Sequence, residues 1–138
     1  MEKYYLDASV WIDYLEARED KFRPLGEWAL QLLKTIIANN DLIIYSQHLI
    51  NELENVGYNE KKIRKEVFDI VKDNIVEVQV SGKQINAAYS IAIKRSLPKG
   101  DVLHALIARD NNAVMVSRDK HFSELQDIVV VKKPEDLI

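Results

Sequence analysis

Cysteine is missing from this 138-residue chain. Neither a disulfide framework nor a thiolate zinc site is therefore open to it, and the absence points to a reducing, cytoplasmic setting. Glycine is scarce, with only four residues. None builds a Gly-rich phosphate loop, which argues against nucleotide folds of the P-loop or dinucleotide type. No apolar run is long enough to cross a bilayer, so no membrane partner is expected. The opening Met1-Glu2-Lys3-Tyr4 lacks the basic-then-apolar layout of a signal peptide. An excess of positive charge is lacking too. The net charge is −3 and the sequence pI about 5.6, which on its face argues against nucleic acid as a partner.

What is present suits a soluble globular chain: 47% hydrophobic and 30% charged residues. The length fits a single domain over residues 1–138. Apolar runs at 3–7, 42–45, 75–80, 113–117 and 128–131 read as strands. Helical periodicity fills 9–17, 25–37, 47–56, 60–72, 81–95 and 101–110, with Ser46 and Ser81 as N-caps. Residues 122–125 read as a short turn. Strands alternating with helices predict an α/β fold of three layers, α/β/α. Its central sheet is mostly parallel and has about five strands.

Four acids stand at the punctuation of this pattern. Asp7 ends the first strand. Glu52 follows the second by a few residues. Asp101 opens a helix after Pro98-Lys99-Gly100. Asp119 follows Ala113-Val114-Met115-Val116-Ser117. In an open parallel sheet, ligands bind beyond the carboxyl ends of the strands. Any one such acid is also what a helix N-terminus selects. Four at the same edge repel one another unless protons or a cation intervene, and Mg²⁺ or Mn²⁺ prefers oxygen ligands of this kind. Setting these four of the 22 acids aside leaves 18 against 19 Lys and Arg, so local phosphate binding stays open. Periodicity hardly separates Glu52 from Glu54, which lie about 90° and about 110° from the apolar arc of their helix. Asp13 reads as a solvated helix face. His48, His104 and His121 share no ligand spacing and read as surface or satisfied residues, with His104, three after Asp101, the first exception to consider. Trp11 reads as core or interface.

At these residues the chain resembles the PIN-domain ribonucleases. Leu6-Asp7-Ala8-Ser9-Val10-Trp11-Ile12-Asp13 is similar to their opening motif. Ser46 to Leu53 is similar to the second, with its acid at Glu52. Asp101-Val102-Leu103-His104-Ala105-Leu106-Ile107-Ala108 resembles the third, and Val116-Ser117-Arg118-Asp119-Lys120-His121-Phe122 the fourth. Ala8 departs from the family's frequent Ser or Thr, while Ser9 and Ser117 remain. The resemblance covers essentially the whole chain, at the length of the stand-alone VapC-like toxins of toxin–antitoxin pairs.

The resemblance implies an endoribonuclease that hydrolyses RNA phosphodiester bonds with Mg²⁺ or Mn²⁺. Asp7 and Asp101 would ligate the metal directly. Glu52 would ligate or orient a metal-bound water. Asp119 would act in the outer shell or hold a second metal, with Ser9 and Ser117 in support. Lys99 and Arg118 adjoin site acids and are candidate contacts to the RNA backbone. The expected partners are RNA, an antitoxin protein and a second copy in a homodimer, with helix 25–37 and the surroundings of Trp11 as candidate interfaces. The alternatives are an RNA-processing housekeeping nuclease and a non-catalytic module of the same fold.

Overall fold

Strand β1 (Lys3–Leu6) occupies the middle of the sheet in the computed structural model, which describes residues 1–138. Its neighbours are β2 (Leu42–Tyr45) and β4 (Val114–Val116), with β3 (Ile75–Glu77) and β5 (Val131–Lys132) at the edges. The order is β3-β2-β1-β4-β5, and every pairing is parallel. The expected mostly parallel sheet is thus wholly parallel. The chain builds β1, β2 and β3 outward, then returns to place β4 on the other side of β1. The boundary between β1 and β4 is therefore the switch point where such sheets bind ligands.

Both faces of the sheet are covered, because side chains alternate along a strand. Leu6, Ile43, Tyr45 and Val116 enter one core with Trp11, Leu32 and Ile50. Tyr5, Ile44 and Met115 enter the other with Leu106 and Phe122. Helices α1 (Ala8–Glu16), α2 (Leu25–Ala38), α3 (Gln47–Asn55) and the short α4 (Glu60–Lys62) belong to the first layer. Helices α5 (Gly82–Arg95), α6 (Lys99–Asp110) and α7 (Lys120–Ser123) belong to the second. Ser46 caps α3 through the Leu49 amide, and Ser81 with Gln84 forms a reciprocal capping box at α5. Gly26 lets α2 meet α1. A Cβ there would lie 2.6 Å from both the Ala17 Cα and the Asp13 carbonyl oxygen.

Several expected boundaries shift for local reasons. The helix anticipated over 60–72 is broken. After α4 comes a π turn at Ile63–Val67 and a 3-10 turn at Asp69–Val71. Five α-helical steps would set Phe68 about 140° from Ile63. The π turn, closed by the Phe68 amide on the Ile63 carbonyl at 3.1 Å, brings Phe68 inward. Phe68 then packs on Trp11 and Tyr45, with ring centroids 5.0 and 4.6 Å away. The expected strand 75–80 stops at Glu77, because β2, its only neighbour, ends at Tyr45. The last strand begins at Val131 rather than 128, since Ile128 and Val129 still close a turn onto the Leu125 carbonyl. Trp11 is 1% exposed and belongs to the core, as do Leu32, Leu33 and Ile36 of α2, while Ile37 of α2 stays exposed.

Candidate functional site

Each site acid is positioned by a strand end or a helix start at one edge of the sheet. Asp7 directly follows β1, and its amide donates to the Val116 carbonyl at 3.0 Å, continuing the ladder one residue past the strand. Glu52 stands in the second turn of α3, which Ser46 starts immediately after β2. Asp101 lies in the first turn of α6. Asp119 is the N-cap of α7, where its Oδ1 accepts from the His121 amide at 2.9 Å. The structure brings all four together with Ser9 around a cavity of about 360 Å³. Glu54, the rival of Glu52, is exposed.

Every one of these carboxylates commits one oxygen to the protein and leaves the other without a hydrogen bond. Asp7 Oδ2 accepts from Ser9 Oγ at 2.8 Å and Ser117 Oγ at 3.0 Å. Glu52 Oε1 is bonded to His104 Nε2. Asp101 Oδ2 and Asp119 Oδ1 each lie 3.1 Å from His121 Nδ1. The four remaining oxygens, Asp7 Oδ1, Glu52 Oε2, Asp101 Oδ1 and Asp119 Oδ2, have no protein partner.

The electrostatics follow from this crowding. Asp101 is pushed up to about 6, first by burial and then by the charges of Asp119 and Asp7. Burial also raises Asp7, against the neighbouring His104 and the two serine hydrogen bonds. Burial is the largest influence on Glu52 and opposes its ionisation, but the hydrogen bond and charge of His104, with the charge of His48, together hold the carboxyl below its ordinary value. His104 is fully buried, and its Nδ1 meets the Tyr5 hydroxyl at 2.7 Å. That hydroxyl in turn bonds to Ser46 Oγ at 2.6 Å. A hydrogen-bonded strut thus runs from β1 and the start of α3 through His104 to Glu52, and it restrains a side chain one methylene longer than Asp.

Histidine is where sequence reasoning missed most. His104 supports Glu52, and His121 bridges Asp101 and Asp119. Neither spacing resembles a ligand motif, because Glu52 and Asp101 come from other elements. The single signal was proximity: His104 is one helical turn past Asp101, and His121 is two residues past Asp119. Asp13 departs from its expected solvated position. It is only 6% exposed, where burial raises its carboxyl and the charges of Arg118 and Arg18 partly offset this.

Arg118 has a different occupation from the expected one. Its Nη1 donates to Glu135 Oε2 at 2.7 Å, its guanidinium lies 5.1 Å from the Trp28 ring centroid, and its side chain is 14% exposed. It ties the loop after β4 to α2 and the C-terminal turn. Lys99 stays at the surface, 5.4 Å from the Tyr89 ring centroid, beside a second cavity next to the acids.

The donor set suits a hard divalent cation. It offers carboxylate oxygens without protein partners, and a mutual repulsion, seen in the raised Asp101, that a cation would relieve. Asp101, Asp119 and His121 present ligand atoms within 4.8 Å of one another. His48, Glu52 and His104 form a second such group, but its His104 is occupied by Tyr5 and Glu52.

Comparison with known proteins gives a family and a fold. A model of the PIN domain matches residues 4–128. No curated protein matches the chain in sequence. Among solved structures, the chain is similar to VapBC2 from Rickettsia felis bound to a DNA fragment from its promoter. The TM-score is 0.67 at 17% identity, over 95% of this chain and 98% of that one. It is similar to a toxin–antitoxin complex from Klebsiella pneumoniae, with a TM-score of 0.66 at 15% identity over 95% and 97% of the two chains. FitAcB from Neisseria gonorrhoeae aligns with a TM-score of 0.61 at 17% identity, again over 95% and 97%.

Proposed function

This chain belongs to the PIN domain family, and from that premise we propose that it is a metal-dependent endoribonuclease, the toxin of a toxin–antitoxin pair. The observation that carries the reading is the set of four carboxylates, each anchored through one oxygen and unbonded at the other. An acid serving only as a helix cap or salt-bridge partner has no need of such an arrangement. The neighbouring folds found in toxin–antitoxin complexes support the biological setting.

In this reading Asp7 and Asp101 would hold Mg²⁺ or Mn²⁺. Glu52 would hold it too or orient its water, and Asp119 would support the same cation or a second one. A divalent cation supplies Lewis acidity for activating water and a counter-charge for the phosphate oxygens. The chain's own residues do the positioning. Ser9 and Ser117 fix the rotation of the Asp7 carboxylate. The Tyr5–His104 strut holds Glu52. His121 keeps Asp101 and Asp119 together despite their like charge. Water adds to phosphorus as the bridging P–O bond breaks, and the leaving oxygen takes up a proton. Lys99, at the rim, meets the RNA backbone. A cytoplasmic homodimer restrained by an antitoxin completes the proposal. Tyr89 and Ile93 on α5, 58% and 66% exposed, offer apolar surface for self-association.

The test is RNA cleavage by the purified protein with and without Mn²⁺, beside Asp7→Asn. Cleavage by the wild type that requires the metal, and none by the variant, is the expected result. Equal cleavage by both proteins would refute the assignment.

A further inference from the structure

A second cavity, of about 390 Å³, adjoins the carboxylate cavity across Gly100. The wall between them is thin. His48 Nε2 lies 3.0 Å from the Gly100 carbonyl oxygen. A Cβ on Gly100 would stand 3.4 Å from His48 Nε2 and 3.5 Å from Glu52 Oε2. The next residue is Asp101. A ligand seated in this cavity is therefore within one nucleotide's reach of the acids.

The lining combines an apolar body with a polar edge. Val80, Ile85 and Leu103 supply the apolar surface. Gln47 and Asn51, one turn apart on α3, supply amides. Gln47 Nε2 donates to Asn51 Oδ1 at 3.1 Å. That bond leaves the Gln47 carbonyl as an acceptor and the Asn51 amide as a donor, a pairing that a base edge can meet. The His48 ring is backed by His104, with centroids 4.2 Å apart. Lys99 is the cation on the lining. A flat apolar solute with hydrogen-bonding edges and an attached anion fits this set, which is the description of a nucleotide in a single strand. A purely apolar peptide would leave both amides unmatched, and an acidic one would find a single cation.

We propose that this cavity is a nucleobase subsite, holding the base that flanks the scissile phosphate, with Gln47 and Asn51 reading its edge and Lys99 engaging its phosphate. The inference rests on the ribonuclease reading above and adds a specificity determinant to it. Base identity at one position is then read beside the chemistry by side chains that hold no metal.

The experiment uses the full chain with Ca²⁺ in place of Mg²⁺, to limit cleavage. Heptauridylate and three variants carrying a central A, G or C are titrated in, and amide resonances are followed by NMR. The expected result is that RNA shifts the side-chain amides of Gln47 and Asn51, with affinities that differ among the four central bases. The double variant Gln47→Ala/Asn51→Ala should bind the preferred RNA about tenfold more weakly, the scale of one or two lost hydrogen bonds. It should also lose the discrimination, while Ca²⁺ affinity and melting temperature stay at wild-type values. If RNA shifts the backbone amides of Lys99, Asp101 and Asp119 but leaves the Gln47 and Asn51 side chains unmoved, the subsite is overturned and the nuclease reading survives. If RNA shifts neither set, the nuclease reading itself fails and takes the subsite with it. If the double variant retains full discrimination, Gln47 and Asn51 do not read the base.

Discussion

Asp101 is the residue whose chemistry is most exposed to test. Its carboxyl is raised from 3.8 to about 6. Between those values the folded protein keeps a proton that the unfolded chain has released. The stability tied to that proton is therefore lost as pH rises through the window from about 4 to about 6. Asp101→Asn removes the charge. At pH 7 the metal-free variant should be more stable than the wild type, by about 1–2 kcal/mol, since one pKa unit is about 1.4 kcal/mol and solvent access reduces the full shift. Below pH 4 the two should melt together. A cation must displace the same proton, so Mn²⁺ affinity, measured by calorimetry, should fall between pH 7 and pH 5. Arg118 and Lys99 separate at the same scale. Arg118→Ala breaks a mostly buried pair with Glu135 and should cost about 2 kcal/mol in a denaturant melt. Lys99→Ala should leave the melt unchanged. It should weaken RNA binding and reduce the slope of log affinity against log salt by about 0.7. An unchanged slope would place the backbone path elsewhere.

Elements carry the site only if their joints hold. The α1–α2 joint depends on Gly26, where an added Cβ would overlap the backbone of Asp13 and Ala17. Gly26→Ala should therefore destabilise the chain by about 2–3 kcal/mol, as overpacking does. Because α1 follows Asp7 directly, metal affinity should fall along with the melting temperature. The α5 cap gives a contrasting case. Ser81→Ala removes half of a reciprocal capping box at the start of α5, an element that carries none of the four acids. It should lower stability by about 1 kcal/mol and leave metal affinity, read by calorimetry, at the wild-type value. A loss of metal affinity here would mean that the start of α5 is coupled to Asp101 through α6, on which α5 packs. The π turn at Ile63–Val67 belongs to the same scale. Buried residues at 63, 67, 68 and 71 would spread over about 140° of an α-helix with Phe68 at its edge, and the widened turn draws Phe68 toward the others.

At the scale of the whole molecule, the folded state is the only one that gathers four carboxylates from four separate stretches of chain. Mg²⁺ or Mn²⁺ should therefore bind the native state alone and raise its melting temperature, by an amount worth about 2.7 kcal/mol at a hundredfold excess over the dissociation constant. The shift should be much smaller for Asp7→Asn. Equal shifts for the two proteins, followed by calorimetric melting, would remove Asp7 from the metal centre. Self-association is tested at this scale too. Ile93→Glu places a charge on exposed apolar surface of α5. If that surface joins two copies, sedimentation should find the variant monomeric at concentrations where the wild type is dimeric.

Periodicity and punctuation determined the layered α/β architecture, because strand alternation, helical spacing and caps such as Ser46 and Ser81 are local consequences of burial and backbone hydrogen bonding. The same local rules put Asp7, Asp101 and Asp119 at the edge where strands end and helices start. A parallel sheet brings all such ends to one side, so their gathering could be read from order alone. The tertiary structure decided what depends on partners distant in sequence. Glu52 rather than Glu54 enters the cavity because α3 packs against α6, where His104 waits, 52 residues along the chain. His121 became a bridge only when α7 was set beside α6. Arg118 was drawn from the expected RNA contact to Glu135 and Trp28, and Asp13 from solvent into the fold beside Arg118. Residue type and spacing report which face of an element is buried. They do not report which charge from another element meets a given side chain, and that meeting settles whether a polar residue supports the site, supports the fold or remains free for a ligand.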